Sequence, residues 1–131
     1  MNNKNIYLLY GSQTGNSEEI CKNIYLELFN LGYNSKYSSL NECINKDLNV
    51  FNFIEKKSDE KDIVIIICST TGNGEAPCNA NIFYNKLKNR NQQKDLFNNI
   101  QYSILGLGDT NYNKFCEIGK NIDKRFSELV N

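Results

Sequence analysis

The 131-residue chain balances 15 Lys plus Arg against 15 Asp plus Glu, so its formal charge is zero and bulk electrostatics makes no case for nucleic acid. It lacks histidine, and its 5 cysteines (Cys21, Cys43, Cys68, Cys78, Cys116) include no Cys-x-x-Cys pair, which removes the mixed zinc sets and histidine-based hydrolase triads. Free thiols, no secretory h-region and no apolar run long enough to span a bilayer lead to the expectation of one soluble, cytoplasmic domain over residues 1–131.

In chain order, residues 6–10 read as a buried strand, and residues 17–31 as a helix with Ile20, Ile24, Leu28 and Leu31 on one face. Cys21 and Tyr25 widen that stripe, and Gly32 ends it. Residues 33–40 form a weaker strand pattern, followed by a short helical turn over 41–45 and an apolar stretch over 48–54 able to pack. Residues 62–68 (Asp-Ile-Val-Ile-Ile-Ile-Cys) are the clearest strand. They are apolar on both alternating faces and β-branched, which predicts helices above and below the sheet. A helix over 79–89 brings Ala80, Phe83 and Leu87 together, residues 102–107 form the next strand, and Phe115, Ile118, Ile122, Phe126 and Leu129 mark a final helix. The abundant asparagines lower helix propensity without erasing these patterns. The order βαβ(α)βαβα, with right-handed crossovers, predicts an open parallel α/β sheet.

Three strands run into glycine-rich turns. The first is Gly11-Ser12-Gln13-Thr14-Gly15-Asn16 at a helix N-terminus, where hydroxyls, an amide and free backbone N–H groups favour a phosphate. The second is Ser69-Thr70-Thr71-Gly72-Asn73-Gly74 and the third Gly106-Leu107-Gly108-Asp109-Thr110. No lysine follows Gly15, so this is not a P-loop, and the Gly-x-Gly-x-x-Gly dinucleotide fingerprint is absent too. A terminal monophosphate can be held by amides, hydroxyls and a helix dipole, whereas transfer chemistry on a triphosphate normally needs a cation. A simple turn-and-cap role for the first loop is the competing reading.

The segments Tyr10-Gly-Ser-Gln-Thr-Gly-Asn16, Ser69-Thr-Thr-Gly-Asn-Gly-Glu-Ala-Pro77 and Leu105-Gly-Leu-Gly-Asp-Thr-Asn-Tyr-Asn-Lys-Phe-Cys116 resemble, in order, the three flavin loops of the flavodoxin-like domain in diflavin reductases. That group includes the cytochrome P450 reductase and methionine synthase reductase types. The resemblance implies a flavodoxin-like doubly wound parallel sheet, three-layer αβα, with strand order 2-1-3-4. It implies FMN as cofactor, with Ser12, Gln13, Thr14, Gly15, Asn16 and Ser17 at the phosphate. Thr70, Thr71 and Gly72 would lie along one side of the isoalloxazine and Leu107, Gly108 and Asp109 along the other. Tyr112 would stack on the ring, with Phe115 and Cys116 nearby. It implies an electron-transfer module that accepts electrons from an FAD/NADPH-binding reductase portion, in the same or a partner chain, and delivers them to a protein redox acceptor. Such a module is not expected to oxidise NADPH alone. Glu18, Glu19, Glu75, Asp109 and Glu117 are expected near the cofactor end, where they could steer a basic partner or simply be solvated.

Two departures stand out. Thr71 replaces a tyrosine found in several relatives, and losing such a stack removes about 0.5–1.5 kcal/mol beyond area burial. A complete domain of this type also carries a fifth strand and helix with an acidic turn, so the expectation is a C-terminally truncated domain with an exposed sheet edge. The other readings are a flavin-free binding or regulatory domain with the same fold, and a free-standing flavodoxin.

Overall fold

A computed structural model describes residues 4–54, 61–71, 73–108 and 116–130. The branched apolar runs fold as the two central strands, β1 (Ile6–Gly11) and, later, β5 (Asp62–Ser69). Between them come α1 (Asn16–Asn30), β2 (Ser35–Ser39), a 3-10 turn at Asn41–Cys43, the short β3 (Ile44–Asn45) and β4 (Val50–Phe51), and a second 3-10 turn at Asn52–Ile54. After β5 follow α2 (Asn81–Leu87), β6 (Ile100–Leu107) and α3 (Glu117–Glu128). The four long strands are all parallel and lie in the order β2-β1-β5-β6, which, counting long strands alone, is the expected 2-1-3-4.

The sheet has two apolar faces with separate cores. On one, Ile6, Leu8, Tyr10 and Ile67 meet Cys21 of α1, with Ile20, Ile24, Tyr25 and Leu28 partly buried against them. On the other, Leu9, Val64, Ile66 and Cys68 lie under α2, α3 and the β3–β4 hairpin. Aromatic rings fill this second core: Phe97 stacks on Phe126 at 4.2 Å, and Phe51 meets Phe83 edge-on at 5.2 Å. Offset and edge-to-face geometries of this kind add about 0.5–1.5 kcal/mol per pair beyond burial. Helices on both faces make three layers, as the two-sided strand pattern predicts. Among the described residues α1 alone covers the first face, which leaves Leu105 of β6 47% exposed there.

Several local expectations need correction. Leu31 does not join the buried face of α1 but is 72% exposed, because the helix has already ended at Asn30. The Tyr33 amide donates to the Leu28 carbonyl and the Gly32 amide to that of Phe29, with Gly32 at φ +87°, a Schellman-type stop that turns the chain away. The stretch 48–54 does pack, with Phe51 and Phe53 both at 1% exposure, but through an antiparallel hairpin that periodicity does not reveal. α2 spans 7 residues instead of 79–89. Its C-terminus is closed by side chains: Arg125 donates from Nε to the Leu87 carbonyl and from Nη2 to that of Asn89, while Gln92 donates to the Lys86 carbonyl. The weak strand 33–40 shortens to Ser35–Ser39, and the 41–45 turn is 3-10 over Asn41–Cys43. Residue 115, the expected start of the last helix, lies outside the described residues, and α3 begins at Glu117.

Where α3 crosses β6 the backbones touch, and a Cβ on Gly119 would sit 2.7 Å from the Gly106 Cα. Gly119→Ala is expected to push α3 off the sheet and cost about 1–3 kcal/mol, measured by urea denaturation at unchanged m-value. Burial pushes the Cys21 and Cys68 thiols up to about 12 and that of Cys43 upward as well. The native state thus holds these protons after the unfolded chain, whose thiols titrate near ~8.5, has released them. Stability is therefore fully present below pH ~8.5 and falls as pH rises toward 12, by up to about 1.4 kcal/mol per pH unit per thiol. Chemical denaturation at pH 7 and pH 10 checks this, with an unchanged midpoint as the contrary result.

Candidate functional site

Because the long strands are parallel and in register, their carboxyl ends share one edge. Gly11 pairs with Cys68, Cys68 with Gly106, and Tyr10 with Ser39. β1 sends its chain to β2 on one side and has β5 on the other, so the crevice above the β1–β5 junction is a topological switch point, the place where such sheets bind ligands. A cleft of about 750 Å³ opens there, lined by Thr14, Asn16, Glu19, Ile20, Asn23, Ser69, Thr70, Leu107 and Gly108. Its walls come from all three glycine-rich turns, and its size falls within the ordinary range for small-molecule sites.

The first turn is wound tightly at the head of α1. The Gly15 amide donates to Ser12 Oγ at 2.6 Å, Gly15 itself sits at φ +97°, and the Glu19 amide closes the first helical turn on the Gly15 carbonyl. An L-residue other than glycine is strained at that φ. The opening turn of α1 thereby offers backbone donors and the positive end of its dipole to the cleft. Thr14 and Asn16 are exposed at its mouth, whereas Ser12 and Ser17 are buried. Ser17 and Ser69 share a hydroxyl hydrogen bond of 2.8 Å that ties the head of α1 to the end of β5. Gln13 turns its carboxamide away from the helix, accepting from the Cys78 amide at 3.3 Å.

The second turn is braced as firmly. The Thr70 amide donates to the Leu107 carbonyl, and Thr70 Oγ1 accepts from the Ile118 amide at 3.0 Å, supplying the first turn of α3 with a cap from another loop. Thr71 folds the following residues back on themselves: its amide donates to the Glu75 carbonyl, and its hydroxyl accepts from the Glu75 amide at 3.1 Å. Leu107 and Gly108 reach the cleft at the end of β6. Cys116 stands beside them at the head of α3, where a Cβ on Gly108 would meet its amide at 2.9 Å. Gly72, Asp109, Tyr112 and Phe115 lie outside the described residues.

The structure thus brings Thr14, Asn16, Thr70, Leu107 and Gly108 to one cleft. It also adds residues absent from the sequence-derived set: Ser69, Glu19, Ile20 and Asn23. Ser69 was visible as the first residue of the second motif. Glu19 was expected near the cofactor end as a surface carboxylate, whereas Ile20 reads as part of the helix's apolar stripe and Asn23 carries no sequence signal. The donor set fits a phosphate monoester attached to a flat ring: hydroxyls and helix-terminal amides stand at one end, and backbone turns with an apolar leucine at the other.

A doubly wound parallel sheet with an anion-accepting helix terminus at its switch point defines a mononucleotide-binding domain. This chain belongs to the flavodoxin family, which it matches over residues 8–130, and FMN is the cofactor of that family. It is 38% identical over 124 residues to the sulfite reductase [NADPH] flavoprotein alpha-component of Buchnera aphidicola, covering 95% of this chain and 19% of that protein. It is 34% identical over 122 residues to bovine methionine synthase reductase, covering 93% of this chain and 16% of that one. The structure of oxidised flavodoxin 2 from Bacillus cereus superposes with a TM-score of 0.68 at 25% identity, over 96% of this chain and 76% of that one. The chain spans a fifth or less of the length of the curated relatives it matches. No described helix is long and apolar enough to cross a membrane.

Thr70→Val keeps the side-chain shape but leaves the Ile118 amide without its acceptor. It is expected to cost about 1–3 kcal/mol and to speed hydrogen exchange at the head of α3. Wild-type exchange there would contradict the capping role.

Proposed function

We propose that this domain carries FMN as the terminal module of a diflavin reductase, receiving electrons from an FAD/NADPH-binding portion in the same or a partner chain and delivering them to a protein redox acceptor. The observation that carries the reading is the single cleft at the carboxyl edge of the sheet, built by three separate turns around a helix N-terminus. The great length of the relatives, two of which are named as NADPH-dependent diflavin oxidoreductases, supports a larger redox assembly around such a domain.

FMN, when bound, supplies the electron chemistry. The chain's part is to hold and shield it. Ser12, Gln13, Thr14, Asn16, Ser17 and the amides from Gln13 onward, other than that of Gly15, which Ser12 Oγ already takes, would hold the phosphate, where helix dipole and hydroxyls substitute for a cation. Thr70, Thr71, Leu107 and Gly108, with Gly72, Asp109, Tyr112, Phe115 and Cys116, would border the ring. No general acid, base or nucleophile is required, in keeping with a chain that has no histidine.

Glu19 lines the cleft and Glu18 is exposed beside it in the first turn of α1, while Glu75 is exposed on the second turn and Glu117 opens α3. In this reading they orient a basic partner for electron transfer.

Purified protein mixed with FMN at micromolar concentration is expected to retain a yellow, fluorescence-quenched flavin through gel filtration and to take up electrons reversibly on titration with dithionite. A colourless eluate would overturn the assignment. With Glu18, Glu19 and Glu75 reversed to lysine, electron transfer to a basic acceptor such as horse cytochrome c is expected to slow at least tenfold at low ionic strength and to lose its salt dependence. An unchanged rate would remove the docking role and leave the carrier role standing.

A further inference from the structure

The turn that faces the phosphate is not held in shape by its own residues alone. The Ser12 amide, the first after β1, donates to Asn79 Oδ1 at 2.8 Å across 67 residues of sequence. One residue earlier, the Cys78 amide donates to Gln13 Oε1. Residues 78–79 therefore grip the turn at two consecutive positions, once through a side chain of each partner.

Asn79 is itself fixed. Its carbonyl accepts from the Asn41 amide at 3.0 Å, and the Asn41 carboxamide donates to the Cys78 carbonyl and to Asn81 Oδ1, both at 3.1 Å. Asn41 Oδ1 accepts from the Phe83 amide at 3.0 Å, closing the first turn of α2. The fully buried Ala80 wedges the next residue under β1, where a Cβ on Gly11 would meet the Ala80 Cβ at 2.8 Å. The backbone on both sides of the Asn79 side chain is thereby anchored, which sets where its carboxamide meets the Ser12 amide.

Pointing the Ser12 N–H at Asn79 has a consequence for the rest of the turn. A peptide plane is rigid, so fixing the Ser12 N–H also fixes the Gly11 carbonyl and anchors the start of the turn, while the Gln13 side chain and the Gly15 amide hold it further along. The Ser12 and Gly15 amides are thus both engaged within the protein, and the amides in the opening turn of α1, which have no intrahelical acceptor, are the donors left beside the cleft. We infer that Asn79, which is not among the cleft-lining residues, is a positioning residue for the phosphate turn: it sets affinity for the phosphate end of the cofactor and leaves the ring end untouched. The inference rests on the FMN reading above.

Riboflavin, which has the ring and lacks the phosphate, separates the two ends. The wild-type chain is expected to bind FMN more tightly than riboflavin, both followed by flavin fluorescence quenching. Asn79→Leu preserves bulk and removes the acceptor. It is expected to weaken FMN about tenfold, the scale of one lost hydrogen bond in a charged site, with riboflavin affinity unchanged. Retained riboflavin binding also shows that the variant is folded. Asn79→Asp, which keeps an acceptor oxygen for Ser12, is expected to recover part of the preference for FMN over riboflavin. An unaltered FMN-to-riboflavin ratio in Asn79→Leu overturns the inference, and so does an equal loss of both ligands. A wild-type chain that binds neither ligand overturns the FMN reading itself, a result distinguishable from failure at Asn79 alone.

Discussion

Parallel pairing of the long strands is the constraint on which the rest of this structure depends. A parallel neighbour cannot be reached by a tight hairpin, so every return crosses the sheet and every strand ends at the same edge. The strand register that pairs Ser39 with Tyr10, Gly11 with Cys68 and Cys68 with Gly106 turns that rule into a place. Three turns far apart in sequence open side by side there because the sheet leaves them nowhere else to go. Their glycines, serines and threonines acquire a common purpose from topology, not from any attraction between the turns.

Topology alone would leave three loosely apposed loops. What converts them into one surface is a set of single hydrogen bonds that run between loops instead of within them: Ser17 to Ser69, the Ile118 amide to Thr70, the Ser12 amide to Asn79 and the Cys78 amide to Gln13. Each is modest by itself, but an unmade buried partner is more costly than a made one is beneficial, so the bonds enforce one another's geometry. Rigidity at the cofactor end suits a carrier, since groups already in place need little rearrangement when a charge arrives.

Much of this was legible in the sequence. The strand at residues 62–68 was readable because its β-branched residues face both sides, and the parallel sheet and strand order followed from how strands and helices alternate. The tight turn at the head of α1 was readable because glycine, hydroxyl and helix N-terminus coincide at residues 11–17. Less legible were features that depend on distant partners. α2 stops early because Arg125, from another helix, takes its last carbonyls. The β3–β4 hairpin is held by phenylalanines packing onto a core assembled from five other elements. Gln13 reads as a phosphate ligand by motif, yet its side chain serves the neighbouring turn, a choice invisible without the position of Cys78.

The helix caps carry one last implication. Neither α2 nor α3 is capped by the side chain of its own N-terminal residue; Asn41 serves the first and Thr70 the second, each from a remote segment. Autonomous helix nucleation is already unfavourable at such lengths. The start signal of each helix therefore comes from the chain that follows β2 or β5 and not from its own sequence. The caps thus tie the stability of both helices to the sheet, so that neither keeps its first turn closed unless the segments carrying Asn41 and Thr70 are in place.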